Sequence, residues 1–138
     1  MGAWGYGSFD NDDALDWVNE LESSEDLSAI TRAFDAVTDN SADYLEAADC
    51  SVALAAAEVV AALAGNPSPS LPEEVTQWLC VHKDVDADTM SKAKRAVNIV
   101  LLNSELKELW EESDEFEQWR TVVTDLLCRL VLESKGAA

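Results

Sequence analysis

Apolar side chains recur at steps of three and four along most of the chain, the spacing of one helix face. Ala14, Leu15, Trp17, Val18 and Leu21 make the first stripe, and Leu27, Ile30, Ala33, Phe34 and Val37 the second. Asp10 or Asn11 is placed to cap the first helix, and Ser23 or Ser24 the next. From Ala42 to Ala64 (ADYLEAADCSVALAAAEVVAALA) the stripe gives way to a segment apolar nearly all round. Between Val52 and Ala64 the one charged residue is Glu58. Alanine is the strongest helix former, and a helix without a polar face must be buried on several sides. A membrane span needs about 20 apolar residues, more than the thirteen from Val52 to Ala64. The segment therefore predicts a central, interior helix, ended by Gly65 in the C′ position with Asn66-Pro67 beyond.

The pattern resumes after a loop, residues 65–72, which holds all three prolines. Ser70 followed by Glu73 has capping-box spacing and opens a short helix with Val75, Trp78, Leu79 and His82; Lys83 to Asp86 breaks it. A further helix is predicted from about Asp88 to Leu102, with Ala93, Ala96, Val97, Val100 and Leu101 inward. Ser104 caps a turn holding Leu106, Leu109 and Trp110. Ser113 caps a last helix whose stripe of Phe116, Trp119, Val123, Leu126, Leu127 and Leu130 runs on towards Gly136. Residues 1–9 form a glycine-aromatic arm, expected to lie extended across the body with Trp4 and Phe9 tucked in. No strand-period run and no internal repeat is present. The prediction is an all-α fold in which residues 1–138 form a single domain. About six helices pack in an orthogonal or bundle-like way around the alanine-rich one.

Charge changes what such a domain would meet. The 138 residues carry 28 acidic and 9 basic side chains, a net charge of −19. Residues 1–82 hold 16 acids and one base, Arg32; residues 83–138 hold 12 acids and 8 bases. So strong a negative field repels nucleic acid and anionic membrane and attracts basic partners. It equally suits solubility, with acids decorating solvated helix faces. Cys50, Cys80 and Cys128 are far apart and form no Cys-x-x-Cys pair, which argues for a reducing compartment and against a disulfide framework or zinc site. No basic segment leads into an apolar run at the start, and Tyr6 stands where myristoylation needs Ser or Thr. A cytoplasmic protein is the expectation.

Few residues suggest chemistry. Gly2, Gly5 and Gly7 are neither a phosphate loop nor a dinucleotide fingerprint, since no Lys follows and no strand precedes. Asp84-Val85-Asp86-Ala87-Asp88 begins like a calcium loop, but Thr89 stands at the glycine position and Arg95 at the bidentate Glu position; helix capping explains these acids better. Asp12, Asp13 and Asp16 are the next candidates, with Asp12 and Asp16 one turn apart on a helix. They could bind a cation with a carboxylate from another helix, yet His82 is the chain's one histidine and no Glu-x-x-His pair exists. Glu58 is the first residue to examine: within an apolar helix it is either at an exposed seam or buried and paired. Arg95, Arg120 and Arg129 could pair with it, and a structural salt bridge is favoured over a catalytic acid. The cysteines fall in apolar stripes and read as packing residues, without thiolate chemistry. Neither a catalytic set, a metal site nor a cofactor is predicted.

The opening Gly2-Ala3-Trp4-Gly5-Tyr6-Gly7-Ser8-Phe9-Asp10-Asn11-Asp12-Asp13-Ala14-Leu15-Asp16-Trp17 resembles the signature of a bacterial family catalogued as domain of unknown function 4259. Ala55 to Ala62 and the stretch from Ser104-Glu105-Leu106 through Trp110 to Trp119 extend the resemblance over almost the whole chain. Trp4, Phe9, Asn11, Trp17, Ser104, Trp110 and Trp119 are thereby marked as structural motif positions. The resemblance implies a small, soluble, stand-alone bacterial protein and carries over no catalytic or binding residue. Taken together, these readings predict a non-enzymatic interaction protein with an acidic face for a basic partner. An immunity or antitoxin-like inhibitor of a nucleic-acid-directed toxin would be one such protein. The alternative is a small hydrolase or ligand-binding protein that uses Glu58 with Asp12, Asp13 or Asp16. A third reading is a homodimer that buries spare apolar surface of the last helix.

Overall fold

Asn11, not Asp10, opens the first helix: its side chain accepts a hydrogen bond from the Ala14 N–H at 2.8 Å, leaving Asp12 and Asp13 in the first turn. The computed structural model describes residues 7–24, 26–39, 46–69, 71–82, 85–102 and 104–131. In them the chain forms seven helices. These are α1 (Asp12–Glu22), α2 (Ser28–Thr38), α3 (Ala47–Leu63), α4 (Glu73–Leu79), α5 (Ala87–Leu102), α6 (Glu105–Glu111) and α7 (Phe116–Arg129). The fold is all-α, as the hydrophobic period requires. The segment expected as a single turn after Ser104 is a helix of its own.

α3 is the axis of the arrangement and touches each of the other six helices. Every residue from Ala53 to Ala61 is buried, and five of those nine are alanines, whose short side chains let several neighbours approach at once. α3 begins five residues later than the Ala42 start predicted; residues 42–45 lie outside the described segments. Its first N–H, at Ala47, is met by the Glu105 carboxylate of α6 at 2.7 Å, negative charge at the positive end of the helix dipole. Its other end closes as expected. Gly65 has φ +96°, and the N–H groups of Asn66 and Gly65 bond back to Ala61 and Ala62 at 2.8 and 3.0 Å, the paired bonds of a Schellman cap. A Cβ at Gly65 would meet nothing within 4 Å, so a side chain there costs backbone strain alone. Gly65→Ala is expected to lower stability by about 1 kcal/mol, read as a reduced urea midpoint with an unchanged slope.

Several capping expectations are corrected. Ser23 and Ser24 do not start α2. Their hydroxyls donate back to the carbonyls of Asn19 and Glu20 at 3.4 and 3.2 Å and finish α1, as serines near a helix end do. α2 follows Leu27, and the Ser28 N–H bonds to the Asp26 carboxylate at 3.0 Å. Pro72 occupies the N-cap of α4; Ser70, predicted to cap it, lies outside the described residues. Glu115 precedes α7, and Ser113 instead accepts the Glu115 N–H at 3.1 Å while donating to the Trp110 carbonyl. Ser104 caps α6 as predicted, accepting from the Lys107 N–H at 3.1 Å. In the acidic run before α5, Asp86 accepts the Thr89 N–H at 2.9 Å. Hydrogen bonds from Thr89 draw its pKa below the usual carboxylate value.

Trp17, Trp78, Trp110 and Trp119 are buried. The Trp17 indole donates to the Ala29 carbonyl and that of Trp78 to the Ser24 carbonyl, at 3.3 and 3.1 Å. Trp4 lies outside the described residues. His82 stacks on Trp78 with ring centroids 4.0 Å apart. The cysteine reading holds for Cys50 alone. It is buried, and burial pushes its thiol up to about 11. Cys80 and Cys128 are exposed: Cys80 is the C-cap residue of α4, and Cys128, two positions from the buried Leu126 and Leu130, stands on the opposite side of α7. Among the described residues the large apolar side chains left exposed are Leu15, Val81, Leu102 and Val131, none of them within α7. Among the described residues no helix is long and apolar enough to cross a membrane.

Candidate functional site

Glu58 is the one buried acid among the described residues, 3 % exposed, on the face of α3 that looks towards the start of α1 and the end of α7. Charge cannot be buried there without partners. One partner comes from the amino-terminal segment. Ser8 donates its hydroxyl to Oε2 at 2.8 Å. The other is Arg129 of α7, whose Nη1 stands 3.0 Å from Oε1. This contact is an ion pair and not a directed hydrogen bond, since Oε1 has no hydrogen-bond partner among the described groups. The Nη1 hydrogen bonds instead to the Asn66 carbonyl at 3.2 Å.

Arg129 is held from three sides. Its Nε donates to Asp125, one turn earlier on α7, at 2.8 Å, and the Asn66 side chain donates back to the Arg129 carbonyl at 3.1 Å. Burial works against the guanidinium charge, but the Glu58 and Asp125 carboxylates outweigh it and hold the pKa above the usual arginine value. The Schellman cap that ends α3 thus also delivers Asn66 to the end of α7.

The amino-terminal arm is not extended where it is described. Residues Gly7 to Asp10 make a turn: the Asp10 N–H donates to the Gly7 carbonyl, and the Gly7 N–H to the Asp10 carboxylate, both at 3.1 Å. A Cβ on Gly7 would stand 2.7 Å from Asp10 Oδ2, so glycine is what lets that carboxylate close over the backbone. The turn brings Ser8 to Glu58 and buries Phe9, as predicted for that ring. A cleft of about 630 Å³ lies beside it, lined by Phe9, Asp10, Glu58, Val122, Asp125 and Arg129 among others.

The other predicted site residues lie elsewhere. Asp12, Asp13 and Asp16 are exposed on α1. Asp13 and Asp16 line a second cleft of about 470 Å³ with Trp17, Glu20, Arg32 and Val52, and Asp12 lines neither. The pocket imagined between Glu58 and these aspartates is therefore not formed, because Glu58 faces the turn that precedes α1 and not the helix itself. Among the described residues no group of three His, Cys, Asp or Glu is placed to hold a metal ion. Sequence reasoning named Arg129 as a partner but missed Ser8, Asn66 and Asp125. The Asp125–Arg129 spacing of one helical turn was the available signal for the last.

These features define a small all-α protein with an acidic exterior and, among the described residues, one buried carboxylate shared between a hydroxyl and a guanidinium. The chain belongs to the family described as Domain of unknown function (DUF4259), whose model matches residues 2–122. That span includes Ser8, Asp10 and Glu58 and stops short of Asp125 and Arg129. No curated protein matches the chain, and no solved structure does.

Proposed function

We propose that this is a non-enzymatic interaction protein whose amino-terminal acidic face binds a basic protein, in the manner of an immunity or antitoxin-like inhibitor. The observation that carries the reading is the surface of α1. Asp12, Asp13, Asp16, Glu20 and Glu22 are all exposed within its eleven residues, which include no base. Of these, Glu20 has an ion partner in Arg32 of α2, at 3.3 Å and largely in solvent. Such a pair neutralises little. Beside the acids the cleft against α2 offers the half-buried Ala36 and Val52 as apolar lining. A lysine- or arginine-bearing surface would find both charge and apolar area there, and complementary charge speeds encounter and selects the partner.

The test is capture from the source cells with the wild-type chain and with Asp12→Asn/Asp13→Asn/Asp16→Asn. The expected result is a basic protein retained at low salt, released at about 0.5 M salt where charge is screened within a few ångströms. The triple variant should associate about tenfold more slowly. Recovery of acidic proteins only, or of nothing at either salt, would sink the reading.

A further inference from the structure

We propose that His82 is a pH-sensitive clasp, whose protonation fastens the end of α4 to the turn between α1 and α2. The chain has no other histidine, and histidine is the side chain whose ordinary titration falls between about pH 5 and 8. His82 is half-buried just beyond α4. Its ring lies flat on the Trp78 indole, with an interplanar angle of 9°, and its Nδ1 is 3.0 Å from the Trp78 carbonyl. A carbonyl only accepts, so Nδ1 carries a hydrogen in both charge states. The proton that comes and goes is therefore on Nε2, and the ring keeps its seat as its charge changes. Trp78 passes the contact on, because the same indole donates to the Ser24 carbonyl just past α1, at 3.1 Å.

The seat favours the charged ring on three counts. An indole face attracts a cation within about 6 Å of its centroid. The carbonyls that end a helix place partial negative charge beside the ring. The third is Asp26 in the turn. Hydrogen bonds from Ser28 hold its carboxyl below the usual value, with smaller pulls from Arg32 and His82, so it stays ionised wherever histidine titrates. Arg32 is the one like charge felt at Asp26 besides His82, and it is itself paired with Glu20. Of the two helices packed against α4, α1 brings Glu22 and no base in its last turn. The charged residues of α3 are Asp49 and Glu58, and Glu58 is held by Ser8 and Arg129. The acids of α4 itself, Glu73 and Glu74, stand in its first turn, at the far end from the ring.

Thermal unfolding of the untagged chain and of His82→Gln, at about pH 5.5 and about pH 8, tests it. The proton gains these partners only in the folded chain. Its stabilisation is therefore fully present below about pH 6.5, the ordinary histidine value, and is lost as the pH rises through the titration of the folded ring. The wild type should exceed His82→Gln in Tm by about 3 °C more at the acid pH than at the alkaline one; the subtraction removes the carboxylates common to both. Asp26→Asn, at an exposed position, should shrink that difference. In proton NMR the single histidine Hε1 signal and the Trp78 indole N–H signal should move together with pH. The Trp17 indole N–H, bonded to the Ala29 carbonyl, should not follow them. A ring that merely packs would give a His82→Gln penalty equal at both pH values and a Trp78 signal that stays still while the histidine titrates. Either result would overturn the proposal.

Discussion

Arg129→Ala is expected to lower stability by about 3 kcal/mol, far more than an ordinary surface arginine would. The reason is what it leaves behind. Glu58 would remain buried with one hydroxyl partner, and its Oε1 would lose the one charge that faces it among the described residues. Removing one member of a buried pair costs more than the pair itself contributes, because the survivor's desolvation is no longer compensated. Arg129 is itself 18 % exposed, which places the expectation at the lower end of the usual range. The control is the double variant Glu58→Leu/Arg129→Met, which removes both charges and should recover most of the loss. Urea denaturation of the wild type and both variants measures it. If the single and the double variant are equally destabilised, the cost lies in packing and not in the orphaned carboxylate.

Phe34→Ala should be among the most damaging single truncations in the core, at about 4 kcal/mol. Phe34 is fully buried in α2, the helix that packs against both α3 and α5. Its neighbours on the inward face are Ile30, Ala33 and Val37. Alanines on α3 cannot reach across to fill the space, so the cavity stays open, and open cavities are what raise the cost above the transfer term. Phe34→Leu, which leaves less empty volume, should lose under half as much by the same argument. Thermal unfolding of the two variants checks the order; equal melting temperatures would mean that the site collapses around the smaller side chain.

The interior was legible for a physical reason that applies unequally along the chain. α3 could be read as central because it lacks any polar stripe, and nothing but burial on all sides accommodates that composition. The stripes of α1, α2 and α5 predicted their inward residues nearly one for one, since a three-and-four spacing leaves no freedom about which face turns in. Helix starts were read less well. Ser23, Ser24 and Ser113 all looked like caps, yet a serine hydroxyl bonds as readily to a preceding carbonyl as to a following N–H. The site was half visible. A lone glutamate among alanines announces a buried charge, and an arginine was expected for it. That Ser8 would complete the group was hidden, because its approach depends on a turn closed by Asp10 and permitted by Gly7, and sequence spacing carries no trace of where such a turn docks. The separation of Glu58 from Asp12, Asp13 and Asp16 was hidden in the same way.

Glu58 is where the two extremities of the described chain come together: Ser8 grips one of its oxygens and Arg129 faces the other. A knot tied between residues so distant in sequence is entropically expensive to close early. It will form after the helices have assembled, as the last stitch and not the first. Interactions of that kind govern how slowly a native protein comes apart while leaving the speed of its assembly nearly untouched. The weakness exposed by Arg129→Ala should accordingly be felt in the unfolding limb of its kinetics, where this single carboxylate sets how long the protein stays closed.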